Sequence, residues 1–442
     1  MSISRRVFLT SGASTLVAGT LSRFLAPSIL IGESQVAAGA GQFFVNVICS
    51  GGMDGFFAFP PLGSRFGTLK AVRSFSAGTA SSPVFVGVMG SSDESQFHVP
   101  GVLSAGIGVH PLLQTPYASD TLSIGGMLAT GQGRVVGCVG ASTHDGSHDS
   151  AMATLLTGEN SWTSGSSLHW LAKWMDDAEM DPVQVWRLGK QIGYPFARNG
   201  PLPITVEHLD SFAWNDRGAS LGGSAEAELS HDLAKELLRR QTRLTETEEK
   251  TRKALEETID MVDLVSPFRN EVVRPDYSYR SPFRDAAKII RHLALSGSNR
   301  TTYVQITLDN FDHHSAMNEN LGAYLSFLNR EIGILQAELA HLCWDRTVVT
   351  LVSEFGRKLA TGAESGADHG YGNNLLVLSG GLRAGVALAG SLPTLAEIQG
   401  GYVVTPTVDT RQIYYEVLEW LGHDPREAFP EYTPRVPLRL FA

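Results

Sequence analysis

Four short segments of this chain combine acidic and histidine side chains at the ends of apolar runs. The segments are Gly51–Gly55, Phe311–His314, Ser353–Gly356 and Asp368–Gly370. Carboxylates mixed with imidazoles are the ligands that divalent zinc or manganese prefers. Because each preceding run is typical of a buried strand, a folded chain can bring the four segments together. The sequence therefore predicts a metal site.

The elements that must position these side chains follow from hydrophobic patterning. Apolar runs predict strands at residues 42–49, 134–140, 303–308, 347–352 and 375–379. Helices are predicted at 283–295, at 321–342 from leucines and an isoleucine at three- and four-residue spacing, and at 408–421. Alternating helices and apolar strands indicate a mostly parallel sheet covered on both faces, which is a three-layer α/β/α sandwich.

The rest of the chain suggests one domain with a long irregular segment and a helical insertion. Residues 60–130 are rich in Gly, Ser and Pro and show little periodicity. A charged helical stretch at about 225–265 is interpreted as a solvated insertion, with a partner-binding helix as the alternative. No repeat and no separating linker is found, so residues 41–442 are expected to form the domain.

The amino terminus resembles a twin-arginine export signal. Ser4–Leu9 contains Arg5 and Arg6, an apolar stretch runs from about Leu16 to Ile31, and Ala37–Ala40 offers a cleavage site. We expect residues 1–40 to be removed, with an uncleaved anchor as the alternative. The expected location is the periplasm or the exterior, reached in the folded state through the twin-arginine export machinery.

Composition limits the partners. The chain of 442 residues carries a net charge of −10, which argues against a nucleic-acid partner. No stretch after the signal is long and apolar enough to span a bilayer. The three cysteines, Cys49, Cys138 and Cys343, include no Cys-x-x-Cys pair, which excludes a zinc knuckle. Cys49 and Cys138 are expected to be small core residues rather than a disulfide.

Together these motifs resemble a family of exported bacterial proteins, domain of unknown function 1501, related to the alkaline phosphatase and sulfatase superfamily. The resemblance rests on the twin-arginine signal and on six segments: Gly51–Gly55, Ser147–His148, Thr157–Gly158, Asn310–His314, Ser353–Arg357 and Asp368–Gly370. It implies an alkaline-phosphatase-like fold. It also implies an exported hydrolase of phosphate or sulfate esters that depends on divalent metal ions.

The resemblance assigns roles to single residues. Asp312, His314 and His369 would hold one ion, and Asp54 and Glu354 a second. Zinc suits this set best, with manganese or magnesium as further candidates. Asp312 and His314 are two residues apart, so an extended segment projects both to one side, and His313 would point away.

The nucleophile follows from the same resemblance. Counting back from Gly158 leads to Ser147 and His148, and Ser147 is preferred as a hydroxyl at a helix amino terminus. Two alternatives stay open: Ser147 as a helix N-cap without chemistry, and Ser150 as the nucleophile. The sulfatase signature, Cys or Ser followed by x-Pro-x-Arg, is absent.

Two departures leave the activity open. Phe355 stands where catalytic superfamily members have a histidine ligand, and His148 is either a replacement ligand or a capping residue. Arg357 is a candidate to bind a substrate oxyanion, or else to pair with Glu364 or another acid. The alternative function is a catalytically degenerate, metal-stabilised binding or assembly protein. A third is the same site acting on another group, such as a phosphonate or a cell-wall polymer.

Overall fold

The computed structural model describes most of the chain after residue 39. The described ranges are 40–73, 93–141, 146–159, 168–177, 180, 182–190, 203–211, 225–240, 245–362, 366–385, 387–434 and 437–441. They belong to one compact unit, Val36–Ala442. The expected signal peptide, residues 1–40, lies almost entirely outside the described residues.

Within the described ranges, eight strands form the sheet. They are β1 (Phe43–Cys49), β2 (Gly133–Val139), β3 (Val185–Gly189), β4 (Ile204–Val206), β5 (Thr302–Leu308), β6 (Thr347–Val352), β7 (Asn373–Ser379) and β8 (Leu388–Gly390). Their order is β4-β3-β5-β1-β6-β7-β2-β8. Only β7 runs antiparallel to its two neighbours. The prediction of an α/β fold with a mostly parallel sheet is confirmed.

The described helices lie between and after these strands. They are α1 (Gly55–Ala58), α2 (Ser64–Val72), α3 (Ile124–Ala129), α4 (His148–Thr157), α5 (Trp170–Asp177), α6 (Ala225–Arg240), α7 (Glu246–Asn270), α8 (Pro282–Leu295), α9 (Met317–Leu339), α10 (Leu395–Gly400), α11 (Thr410–Trp420) and α12 (Pro425–Ala428). Helices α6 and α7 occupy the stretch expected to be a helical insertion. Residues 60–130 contain the helices α2 and α3 besides single 3₁₀ turns, such as Pro111–Leu113.

Two buried clusters lie on opposite faces of the sheet. In β1, Val45 and Val47 belong to one cluster, while Phe44 and Ile48 belong to the other. Successive side chains of a strand point to opposite faces, so this alternation separates the clusters. Residues of α8 and α9 join the first cluster, and residues of α5 and α11 join the second.

The long helix α9 shows why the leucine pattern predicts a helix. Leu321, Leu325, Leu328, Ile332, Leu335 and Leu339 are all buried in the first cluster. The apolar stripe therefore faces the sheet, as three- and four-residue spacing requires. Leu342, the last residue of the predicted stripe, lies beyond the end of the helix.

The three cysteines are buried and free. Burial raises the pKa of the Cys49 thiol above its ordinary value, which keeps it protonated. Cys49, Cys138 and Cys343 are therefore core residues, as expected for the first two. Among the described helices, no segment combines the length and the apolarity that a bilayer crossing requires.

The carboxyl end of β1 leads into a turn that depends on glycine. Gly51 has φ 118°, and a Cβ there would lie 2.5 Å from Asp312 N. The Gly51 amide donates to Glu354 Oε1 at 2.8 Å. This turn therefore fixes the spacing between the segments that follow β1, β5 and β6.

We predict that Gly51→Ala destabilises the fold beyond backbone strain alone. Gly63 is the matched control because its φ is also positive, at 70°, and nothing lies within 4 Å of a Cβ placed there. In chemical denaturation, Gly63→Ala should lower the free energy of unfolding by about 1–3 kcal/mol. Gly51→Ala should lower it clearly further. Equal losses for the two variants would contradict the close approach of the Gly51 turn to Asp312.

Candidate metal centre and its surroundings

Asp312 occupies the centre of the site, beyond the carboxyl end of β5. Asn310 has φ 70°, a left-handed conformation that asparagine tolerates better than most residues. The Phe311 amide then donates to the Ser50 carbonyl at 3.1 Å, which turns the segment towards β1. The Asp312 side chain remains 44% exposed.

Two histidines meet one oxygen of Asp312. His314 Nε2 lies 3.0 Å and His369 Nε2 lies 3.4 Å from Asp312 Oδ1. The two Nε2 atoms are 3.0 Å apart. The three residues that the sequence assigns to one ion therefore converge on a single point.

The other ring nitrogen of each histidine faces an acceptor. His369 Nδ1 lies 2.6 Å from the Gly146 carbonyl oxygen, and His314 Nδ1 lies 3.4 Å from Asp368 Oδ1. In the tautomer that carries the proton on Nδ1, both Nε2 atoms present lone pairs. Two lone pairs 3.0 Å apart repel each other unless a cation or a proton lies between them.

His148 adds a third imidazole from the first turn of α4. Its Nδ1 lies 2.9 Å from Glu354 Oε1, and its Nε2 lies 3.3 Å from Asp312 Oδ2. That Nε2 is buried, and its contact with Asp312 is not aligned as a hydrogen bond. Ligand atoms of His148, Asp312 and His369 lie within 4.8 Å of one another.

Glu354 is buried and acts through its neighbours. Its carboxylate accepts hydrogen bonds from the Gly51 amide at 2.8 Å and from Ser353 Oγ at 3.1 Å, besides the contact with His148. The hydrogen bond from His148 to Glu354 raises the pKa of His148, although burial opposes this. Glu354 therefore orients the imidazole of His148.

Arg357 is buried and joins three segments, and the acid with which it pairs is Asp312. It donates from Nε to the Gly52 carbonyl at 2.7 Å and from Nη1 to the Ala367 carbonyl at 2.8 Å. Its Nη2 lies 2.6 Å from Asp312 Oδ1 and also donates to the Gly51 and Phe311 carbonyls. Its donors are thus occupied within the protein, and Glu364, the partner considered from sequence, lies outside the described residues.

Arg357 also sets the charge state of Asp312. Partial burial acts to raise the pKa of Asp312, but the hydrogen bond and the charge of Arg357 outweigh it and bring the pKa to about 2. Burial lowers the pKa of His369, against the effect of the Gly146 carbonyl. An ionised carboxylate beside a neutral imidazole is the state in which both groups bind a metal.

Asp54 does not join this cluster. It is buried, its Oδ2 lies 2.7 Å from Arg73 Nη2, and its Oδ1 accepts from the Phe57 amide at 3.0 Å as the N-cap of α1. The ion pair is close but poorly aligned as a hydrogen bond. Asp54, which the resemblance assigns to a second ion, thus forms a buried charge pair and a helix cap.

The structure also describes the other residues named from the sequence: Ser147, His313 and Phe355. Ser147 is the exposed N-cap of α4 and accepts from the Ser150 amide at 3.2 Å. His313 is buried, with its ring 5.9 Å from the ring of Tyr324, so it points away from Asp312 as expected. Phe355 lies with its ring centroid 5.0 Å from His148 and 4.6 Å from His369.

Sequence reasoning missed three groups that pair with residues of the predicted segments. The Gly146 carbonyl, the Arg73 partner of Asp54 and Lys358, which lies 3.2 Å from Asp368, have no sequence signal that points to these contacts. Asp368 itself contacts His314, with its Oδ1 3.4 Å from Nδ1.

The model of a family described as "Protein of unknown function (DUF1501)" matches residues 214–436, half of the chain. The chain belongs to the DUF1501 family. Asp312, His314, Glu354 and His369 lie within the part that matches the DUF1501 model, whereas Asp54 and His148 precede it. No curated protein matches the chain.

We predict that Asp54→Ala destabilises the protein without changing its metal content. The substitution leaves the Arg73 guanidinium buried without its counter-charge, which typically costs about 3–5 kcal/mol. The double variant Asp54→Ala/Arg73→Met removes both charges and should recover part of the loss in chemical denaturation. A loss of bound metal from correctly folded Asp54→Ala would restore Asp54 as a ligand.

Proposed function

We propose that this protein is an exported hydrolase of phosphate or sulfate esters that works around one divalent metal ion. Asp312, His314 and His369 would hold the ion. The observation that carries the proposal is the pair of imidazole Nε2 atoms that meet at 3.0 Å beside an ionised carboxylate. Such an arrangement is favourable when a cation occupies it.

The distances support a tetrahedral ion. Ligand bonds of 2.0–2.1 Å give tetrahedron edges of about 3.3–3.4 Å, close to the 3.0, 3.0 and 3.4 Å between the three ligand atoms. The acceptors behind both imidazoles are those that commonly orient metal-binding histidines. Zinc fits this set best, with manganese or magnesium as further candidates.

Three protein ligands would leave a fourth position for chemistry, as in catalytic zinc sites. When bound, the ion would supply a Lewis acid for an ester oxygen. His148 contacts the other carboxylate oxygen of Asp312, so we assign it to proton transfer rather than to the ion. Its Nδ1 is fixed by Glu354, which leaves Nε2 to take or give a proton.

Ser147 is the proposed nucleophile. Its hydroxyl is exposed at the amino terminus of α4, a helix of 10 residues. The unpaired amides and the dipole at such a terminus favour a negatively charged group. Ser150, the alternative nucleophile, lies within the first turn of the same helix.

A single ion departs from the two-ion plan of the alkaline phosphatase and sulfatase superfamily. Phe355 packs against two of the imidazoles, and Asp54 is paired with Arg73, so we assign neither position to a second ion. The superfamily's three-layer sandwich remains part of this proposal. It is supported by the mostly parallel sheet and by buried clusters on both faces. The twin-arginine motif in Ser4–Leu9 supports export to the periplasm or beyond.

The second candidate function is a metal-stabilised binding or assembly protein without turnover. It is favoured by Arg357, whose buried donors are occupied, and by Phe355, which lines the imidazoles with an apolar ring. In this case the same three residues hold the ion, and His148 and Ser147 have only structural roles. Measurements of metal content and of turnover separate the two functions.

We predict one divalent ion per chain in protein purified without chelator. Asp312→Ala, His314→Ala and His369→Ala should each lose it, and His148→Ala should retain it. His98→Ala is the control, because His98 is a partly exposed histidine that pairs with Glu94. Elemental analysis with a thermal melt of each variant decides the outcome. Metal-free protein that takes up neither zinc nor manganese would exclude the proposed metal site.

We predict that Ser147→Asn abolishes ester hydrolysis without loss of stability. Asparagine caps helices as well as serine does but has no hydroxyl. Ser147→Thr keeps both features and should retain activity, and Ser150→Ala should resemble the native protein. The measurement is turnover of aryl phosphate and aryl sulfate esters. Unchanged turnover in Ser147→Asn would exclude Ser147 as the nucleophile, and no turnover in the metal-loaded native protein would favour the binding protein.

A further inference from the structure

A second recess opens beside the metal site, at the carboxyl ends of β3 and β5. It has a volume of about 720 Å³ and is lined by Lys190 after β3, by Leu308 and Asp309 at the end of β5, and by Ala323, Tyr324 and Phe327 of α9. Ligands of open α/β sheets bind outside the carboxyl ends of parallel strands. The volume is within the range of small-molecule sites, about 300–1,000 Å³.

The walls of this cavity are mainly apolar and aromatic. Tyr324 and Phe327 contribute two rings, and Pro282 and Leu308 add aliphatic surface. Lys190 Nζ and Asp309 Oδ2 are already paired with each other at 2.6 Å. A sugar needs several hydrogen-bonding groups for each ring, and this pairing uses the charged groups nearest the strand ends. The lining therefore fits an apolar ring better than a sugar.

The charged groups that line the cavity give little reason to expect a charged ligand. Besides the Lys190–Asp309 pair, the cavity has Glu207 and His208. The Glu207 side chain is 78% exposed, with Oε1 3.8 Å from His208 Nε2. Burial lowers the pKa of His208, which keeps its imidazole neutral at pH 7. The inner wall thus carries no strong field of either sign.

The cavity is close enough to the metal site to hold part of the same molecule. Asp309 lines the cavity and Asp312 is three residues later, a separation of at most about 10 Å. Tyr324 also lines the cavity, and its ring lies 4.7 Å from that of Phe311 and 5.9 Å from that of His313. Phe311 and His313 flank Asp312 in the chain.

We infer that this cavity binds the bulky aromatic or alicyclic group of the alcohol whose ester is hydrolysed at the metal site. The inference rests on the proposed function, and it restricts the substrates to esters with a large apolar group. The ester would lie at Asp312, and the ring system would extend past Asp309 towards Tyr324 and Phe327. Small polar alcohols would leave the cavity without a contact.

Binding of 2-naphthol tests the cavity without need of metal or turnover. Calorimetry on the native full chain should detect binding, and Ala323→Trp should weaken it at least tenfold, because the new indole fills the cavity from an exposed position on α9. Ala340→Trp is the matched control, since Ala340 is an exposed alanine just beyond the end of α9, outside the cavity. It should bind 2-naphthol as the native protein does.

Turnover of 2-naphthyl and methyl phosphates and sulfates separates this inference from the proposed function. A preference for naphthyl esters that Ala323→Trp abolishes and Ala340→Trp keeps supports both. If Ala323→Trp weakens 2-naphthol binding but no ester is hydrolysed, the cavity is confirmed as a binding site for an apolar ring and the proposed hydrolase function is rejected. Equal 2-naphthol affinity in all three proteins, or no binding, overturns the inference, even if the esters are hydrolysed.

Discussion

The buried guanidinium of Arg357 is the interaction on which the candidate site depends. It bonds to backbone carbonyls of the segments that follow β1, β5 and β6 and to the carboxylate of Asp312. A planar fork of five donors can hold several segments at once, which a lysine cannot do. A buried charge is costly unless it is paired and hydrogen-bonded. If any one of these segments moved away, donors of Arg357 would stay buried without their acceptors. The loops at this edge of the sheet therefore behave as one unit.

The sequence predicts the placement of this unit well, because placement follows from general rules. Residues that end parallel strands meet at one edge of a sheet, so Asp312 after β5 and Glu354 after β6 must be near neighbours. The β1 strand between them has the apolar run that central parallel strands require. Spacing was also informative: Asp312 and His314 face one point, and His313 faces the core.

Individual contacts could not be predicted in this way. Asp54 has the same strand-end position as Asp312, but an arginine nineteen residues later neutralises it within the core. The sequence predicts Glu354 as a metal ligand. In the structure its Oε1 lies 2.9 Å from His148 Nδ1, so it is a hydrogen-bond partner of His148. A carboxylate has the same sequence signature in both roles. Which role it takes depends on tertiary neighbours a few ångströms away.

Hydrogen bonds and ion pairs within the protein orient the three proposed metal ligands. Arg357 fixes Asp312, the Gly146 carbonyl fixes His369, and Asp368 faces His314, so the three ligands need little rearrangement to bind an ion. Preorganised ligands avoid the entropy cost of ordering flexible side chains. In the tautomer with lone pairs on both Nε2 atoms, a cation would also relieve their repulsion. The hydrogen bonds that stabilise the loops thus also favour the ion, and the fold and the proposed metal chemistry depend on the same few contacts.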